Sequence, residues 1–413
     1  MPSKPSFFSI LSLSLLVAGN LIGVGILALP VNTGLAGLYP ALLAMLVLGG
    51  AMFFSALILG REAVASRKEN FNYPSLFNTY LGAAGKWVAI LANLLILYGL
   101  LVAYITGGTT ILGNLINAPE QWQWVITLVF FALLTTIALA NTSLIVKYNS
   151  LIMTALVLFF VIMTGIGETH TTASNYSFAD WGFLPVAAPI IITAFHFHNI
   201  IPNICSNLDW NFAAVWKAIL IGMAIGFVMN ALWIQVGIGV LPVDDSANSL
   251  LSAFQNNLPT TVPMSHIIDS STFMTVAILF SLLAIMTSYL ANSMGLMGFI
   301  RDLTENQFGI KNRTLDIALT FLPPLGIALL WPAVFLQAIN VVGGVGIVIL
   351  FGILPGIIAW RKSTSAPIKI LSALMLVLFL LCLIFEVGQE SGLLSIHPDV
   401  EHWQPQVEHI KHR

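Results

Sequence analysis

Charge is what this chain has least of. Asp, Glu, Lys and Arg supply 8% of its 413 residues and hydrophobic residues 58%, where soluble domains carry about 25% charged residues. A chain of this composition reads as an all-α integral membrane protein whose partner throughout its length is the lipid bilayer. With 15 basic residues against 17 acidic ones, it has neither the basic surface that binds nucleic acid nor an acidic tail, so nucleic-acid binding is excluded. Cysteine is equally scarce: Cys205 and Cys382 fall in different parts of the topology, and no disulfide is expected. The chain also lacks a His-Glu-x-x-His motif and any deep Asp pair, which argues against an intramembrane protease. No Cys, Asp or Glu accompanies His196 and His198 at depth, so the pair falls short of the three or four ligands of a metal site. The run Gly23-Val24-Gly25-Ile26-Leu27-Ala28 has dinucleotide-like spacing, but no strand precedes it and no acidic residue follows at the required distance; no cofactor is expected.

What the chain does have is long apolar runs. Bounded by charge or turn residues, they predict eleven transmembrane helices near 9–36, 38–60, 85–113, 122–141, 149–167, 185–207, 215–241, 270–300, 314–331, 333–360 and 368–388. Residues 1–413 then form a single polytopic membrane domain with no room for a soluble catalytic domain. Hydrophobicity that continues through Leu29 argues against signal cleavage near Ala18. An inward amino terminus places every basic residue except Lys411 and Arg413 in cytoplasmic segments, which predicts a cytoplasmic amino terminus and a periplasmic carboxyl terminus. The outer segment 242–269 and the tail 389–413 read as solvated loops, while the inner segment 61–82 has room for a short interfacial helix.

Irregular backbone at membrane depth is tolerated only where it lines a cavity, so interruptions of the apolar helices point to sites. Span 1 is interrupted in GNLIGVGILALP, Gly19 to Pro30, and span 6 in APIIITAFHFHNIIPNIC, Ala188 to Cys205. Breaks in these two spans are the expected trace of a five-plus-five inverted repeat, here about 9–167 and 185–360 with helix 368–388 added. Amides freed at Gly23, Val24 and Gly25 suit a carboxylate. Carbonyls freed near Phe195, with Asn20 and Asn199, suit an ammonium. Gly222 and Gly226 have the spacing of simple helix packing and are read that way.

Ionisable residues at depth are few. Glu168, Asp269 and Glu386 stand toward outer helix ends, and Asp209, Lys217, Arg301 and Asp316 toward inner ends, where long side chains reach water. His196 and His198 remain near the middle. Histidine titrates near neutral pH, which makes His198 in particular a candidate for proton coupling; the alternative is a neutral ring bonded to a carbonyl freed by the break. Thr287 and Ser288 in span 8 offer oxygens to a sodium ion or to their own helix, and Tyr98 and Tyr104 in span 3 offer hydroxyls to a carboxylate or simply pack. Phe195 and Phe197 flank the histidines and suit an apolar pocket for an aromatic side chain, with His196 or Asn199 as its polar partner. Three functions fit these residues: a secondary transporter, a membrane acyltransferase using His198, and a nutrient sensor with a transporter-like body.

Four motifs narrow the choice. GNLIGVGILALP, AYITGG from Ala103 to Gly108, FHFHNIIP from Phe195 to Pro202 and TSYLANSMGL from Thr287 to Leu296 together resemble the hydroxy and aromatic amino acid permeases of the amino acid/polyamine/organocation superfamily, in particular the tyrosine and tryptophan permease branch. The resemblance implies a leucine-transporter-like fold of eleven helices. It also implies uptake of tyrosine or tryptophan across the bacterial inner membrane, usually by proton symport, with sodium as the alternative coupling ion. Spans 1, 2, 6 and 7 would move against spans 3, 4, 8 and 9. Tyr104 falls on a recurring Tyr of the family and His198 on a position held by His or Gln, whereas His196 stands where Gly is usual and Asn20 where Thr is frequent.

Overall fold

The computed structural model describes residues 5–67, 72–140, 142–244 and 246–398, with backbone only for Val24 and for 142–150. Lys4, Lys68, Asp245 and the end of the tail, including Lys411 and Arg413, lie outside the described residues. All regular structure among the described residues is helical. In chain order the helices are α1 (Phe7–Leu21), α2 (Val24–Gly34), α3 (Leu38–Ser66), α4 (Tyr73–Leu115), α5 (Gln123–Ala140), α6 (Thr142–Glu168), α7 (Leu184–Ala194), α8 (Ile201–Asn207) and α9 (Phe212–Val240). They continue as α10 (Leu250–Gln255), α11 (Thr261–Ile268), α12 (Ser271–Phe308), α13 (Arg313–Leu330), α14 (Phe335–Val341), a π-helical segment (Val342–Ile353), α15 (Leu354–Lys362) and α16 (Ala366–Glu390). Among the described residues ten stretches are long and apolar enough to cross a membrane, and α1 with α2, bent by 56°, makes an eleventh if counted as one span.

Proline governs how several of these helices pack, because a proline inside a helix leaves the carbonyl four residues back without its amide. Pro30 lies inside α2, and the Ile26 carbonyl takes the Trp233 indole N–H from α9 at 2.7 Å. Pro323 lies inside α13, and the Leu319 carbonyl takes the Tyr98 hydroxyl from α4 at 2.6 Å. Pro355 opens α15, and Ser55 of α3 donates to the Phe351 carbonyl. Each freed acceptor thereby ties its helix to a neighbour.

Glycine acts where backbones meet. Side chains at Gly222 and Gly226 of α9 would run into Val17 and Leu21 of α1, so this pair packs helices as its spacing predicts. In the π segment, Gly343 abuts the Pro189 carbonyl and Thr193 of α7, Gly344 abuts Glu386 of α16, and Gly346 abuts Ile96 of α4. A π stretch of this length, 12 residues, is unusual. It stands at the junction of three other helices.

One expectation is revised. The 242–269 segment is not a solvated loop: it holds α10 and α11, buries Val243, Leu250, Ala253 and Met264, and donates the Thr260 amide to the Leu27 carbonyl of α2 at 2.7 Å. Its Asn, Ser and Pro content concealed apolar residues that fold back over α2. Within α4, Gly82 (φ 69°, ψ −164°) is not helical and kinks the chain, a conformation that favours glycine, so Tyr73–Leu81 is a short helix of its own ahead of span 3, in the 61–82 segment that has room for one. Both cysteines are buried and free.

We predict that Trp233→Phe, which leaves the Ile26 carbonyl without a donor, lowers the stability of the purified protein in detergent by about 1–3 kcal/mol. Adding Pro30→Ala restores an amide at position 30 and should recover part of that loss in thermal unfolding. A double variant no more stable than Trp233→Phe alone would show that the hydrogen bond is not the cause.

Candidate functional site

The break in span 1 is built by Ile22 and Gly23. The Ile22 amide turns to the Gly19 carbonyl, Gly23 is extended (φ −75°, ψ −162°), and α2 starts at Val24 with no side-chain cap. The Ile26 amide bonds the Gly23 carbonyl at 3.1 Å, so the Val24 and Gly25 amides are those that the first turn leaves for another acceptor, at the positive end of the helix. A Cβ on Gly25 would lie 3.3 Å from Ala194 Cα. The start of α2 therefore sits directly on the end of α7, and the breaks of spans 1 and 6 are adjacent.

Gly23 faces α12: a Cβ there would lie 3.5 Å from Ser288 Oγ. One turn along, Asn292 Nδ2 donates to the Ser288 carbonyl and to the hydroxyl of buried Tyr104, each at 2.9 Å. That hydroxyl also shares a hydrogen bond with the Ser288 side chain, which links Tyr104, Ser288 and Asn292 into one polar group. The start of α2, Ser288 and Tyr104 thus bring hydrogen-bond donors to one place, which suits an anionic group. Asn20, half-buried in the last turn of α1, donates Nδ2 to the Leu16 carbonyl at 3.1 Å. Thr287 Oγ1 donates to the Leu283 and Ala284 carbonyls of its own helix.

Span 6 breaks after Ala194 through Phe195–Phe197 and a 3-10 turn at His198–Ile200. The two imidazoles stack 6.2 Å apart with planes 6° from parallel, and each lies about 5 Å from the Phe351 ring of the π segment. His198 Nε2 lies 3.2 Å from the Met52 carbonyl of α3, and the His198 carbonyl accepts from the Ile201 amide and the Tyr73 hydroxyl. His196 Nε2 and His198 Nδ1 are buried without a hydrogen-bond partner among the described residues. Phe195 packs on Gly49 of α3 and Phe227 of α9, Phe197 is fully buried beside His198, and Asn199 is exposed.

The candidate residues therefore divide. Gly23, Ser288 and Tyr104 converge, with Gly25 and the end of α7 alongside. The histidine rings lean instead on α3 and the π segment, and the Tyr98 hydroxyl is committed to Leu319. Two residues were not selected from the sequence. Asn292 shares a face with Ser288 at a spacing of four, which was the available signal. Asn230 of α9 is fully buried with both amide atoms unpartnered among the described residues. It lies one turn from Gly226, which packs on Leu21, and three residues before Trp233, which bonds Ile26, so helical phase turns it toward the span 1 break.

The expectation that carboxylates at helix ends reach water also fails in two places. Asp316 is buried, accepts from Thr304 at 2.9 Å and lies 3.7 Å from Arg301, and Glu386 is buried against Gly344. Glu62, at the end of α3, is buried as well and meets Lys362 Nζ at 2.8 Å and the Tyr80 hydroxyl at 2.6 Å. Tight packing between helix ends closes off the water that the sequence reading assumed.

The sequence model of the tryptophan/tyrosine permease family matches residues 7–388. Tyrosine-specific transport system 1 of Haemophilus influenzae is 30% identical over 366 residues, covering 86% of this chain and 90% of the relative. Tyrosine-specific transport system 2 of the same organism is 29% identical, covering 86% and 88%. Its tryptophan-specific transport protein is 26% identical, covering 87% and 89%.

For the Tyr104–Asn292 pair we predict that Tyr104→Phe and Asn292→Ala each cost about 1 kcal/mol of stability. The double variant should cost less than the sum, because each single change already removes the shared bond. Additive losses in thermal unfolding would show that the two side chains act independently.

Proposed function

The chain belongs to the tryptophan/tyrosine permease family, and on that premise we propose that it imports an aromatic amino acid, tyrosine or tryptophan, by alternating access and proton symport. Proteins of this family are transporters and not enzymes, so the acyltransferase reading of His198 is withdrawn. The observation that carries the proposal is the uncapped start of α2, which faces Ser288 and stands against the break of span 6. A zwitterion needs donors for its carboxylate and acceptors for its ammonium close together. The Val24 and Gly25 amides with Gly23, Tyr104 and Ser288 serve the carboxylate. Carbonyls near Phe195, with Asn20 and the amide of Asn230, serve the ammonium. Phe195, at the end of α7, walls the side-chain pocket; Phe197, fully buried beside His198, and His196, whose ring leans on Phe351, drop out of it. Asn199 drops out of the ammonium's contacts because its side chain is exposed.

The packing supports the motion. α1, α2, α3, α7 and α9 pack among themselves, as do α4, α5, α12 and α13, and Gly23 meets Ser288 where the two groups face each other. We read α1 with α2 as one span, which makes eleven, with α1–α6 and α7–α15 as inverted repeats and α16 added. Helix ends rich in Lys and Arg face the cytoplasm, the amino terminus included, and the chain's outer tail faces the periplasm of a bacterial inner membrane. A sodium-coupled form of the mechanism is the second reading, favoured by the Ser288 hydroxyl beside the break.

In sealed vesicles an imposed inward pH gradient should drive accumulation of labelled tyrosine; accumulation that responds to a sodium gradient alone would replace proton by sodium. In competition, tryptophan or tyrosine should displace the label far better than leucine or serine, and equal displacement by leucine would defeat the aromatic assignment. Gly25 is a poor position to test the site, since a bulky side chain there presses on Ala194 of α7. Gly23→Leu projects instead onto Ser288 and should weaken tyrosine binding at least about tenfold, roughly 1.4 kcal/mol, in a protein that still folds. Unchanged affinity would move the site elsewhere.

A further inference from the structure

We propose that Glu386 of α16 is the residue that binds the coupling proton, taken up from the end of the molecule opposite the basic helix ends. The inference rests on the proton-coupled reading above and assigns it a residue. Glu386 is 4% exposed, and its Oε1 has no hydrogen-bond partner among the described residues. Its Cβ, Cγ and Cδ press on the π segment so closely that a Cβ on Gly344 would lie 2.6–2.9 Å from them. A charge buried without a partner is expensive. With one carboxylate oxygen buried and unpartnered, the charge is favoured by an arrangement that admits water or brings a partner, so protonation of Glu386 is linked to how α16 packs on the π segment.

A polar route leads out from it. Glu390, one helical turn toward the end of α16, is exposed and accepts from Gln337 Nε2 of α14 at 2.7 Å. Between them, Gln389 has a buried Nε2 with no partner among the described residues. On the inner side the contact continues to the transport site. Gly343, next to Gly344, abuts Pro189 and Thr193 of α7, and Thr193 also bonds the Ile339 carbonyl at 3.2 Å. α7 ends at Ala194, where Gly25 of the span 1 break is seated. Glu386 is thus two helical contacts from the site, through a glycine-rich segment already in π register.

Other titratable groups near α16 do not compete for this role. The π segment and α7 contain no ionisable side chain. On α15, Arg361 and Lys362 sit at the basic end, with Lys362 engaged by Glu62. On α16 itself, Lys369 stands in the first turn, Cys382 lies one turn below Glu386, and Glu390 is the exposed group on the route. The His198 ring is enclosed by Met52, Phe197 and Phe351.

The test compares wild type, Glu386→Gln and Glu386→Asp in proteoliposomes, measuring labelled tyrosine both as accumulation under an inward gradient of one pH unit and as exchange at equal pH. One proton per substrate sustains about tenfold accumulation under that gradient. We expect wild type and Glu386→Asp to accumulate, and Glu386→Gln to exchange tyrosine while its accumulation ratio falls to about one. Accumulation by Glu386→Gln equal to wild type overturns the assignment, as does loss of exchange together with accumulation, which would make the residue necessary for something other than the proton. A wild type that exchanges tyrosine yet ignores the pH gradient overturns proton coupling itself, and the assignment with it.

Discussion

In an apolar solvent, a backbone carbonyl that has lost its amide must be given another donor, and this fold is assembled around those donors. Pro30, Pro323 and Pro355 each withhold an amide, and Trp233, Tyr98 and Ser55 reach across from other helices to the carbonyls concerned. Tyr73 adds a second donor at the His198 carbonyl, which also takes the Ile201 amide. In water each carbonyl could take a solvent molecule. In a bilayer the choice lies between a partner and a penalty of several kcal/mol. The helices that carry these donors, α9, α4 and α3, are thereby held against the interrupted ones, and the interruptions become fixed features.

Glycine supplies the complementary constraint. Where α2 sits on α7, where α9 lies along α1, and where the π segment meets α7, α16 and α4, a glycine lets the neighbouring helix's backbone or side chains come close. Close approach without interlocking side chains allows one helix to shift on another at small cost, while the proline-linked contacts resist it. The proposed site at Gly23, Ser288 and Tyr104 stands where a glycine contact separates the two helical groups, which is where a sliding motion would open and close it.

The buried carboxylates are treated differently at the two ends of the molecule. At the basic end, Glu62 is answered by Lys362 and Tyr80, which ties α3, α4 and α15 together. Asp316 is answered by Thr304, with Arg301 nearby. At the other end Glu386 is pressed against bare backbone, with one oxygen unanswered. An answered carboxylate stabilises one arrangement. An unanswered one makes the arrangement depend on its proton.

The spans and both breaks were legible in the amino-acid order, because apolar length and the local interruption of a helix by Gly-Val-Gly or by His, Asn and Pro are properties of neighbours in the chain. Gly23, Ser288 and Tyr104 could be named for the same reason: each is a polar or small residue inside an apolar run. The pairing of Tyr104 with Asn292 could not be read there. Nor could the engagement of Tyr98 with Leu319, the turning of Asn230 toward the break, the folding of 242–269 over α2, or the burial of Glu386. Each depends on which faces of helices far apart in sequence come together. Tyr104 and Asn292 are 188 positions apart, and no local pattern records that separation. The π register is hidden for a related reason: a segment apolar on every side has no polar face to show a change of helical phase, so only its packing against α7, α16 and α4 determines it.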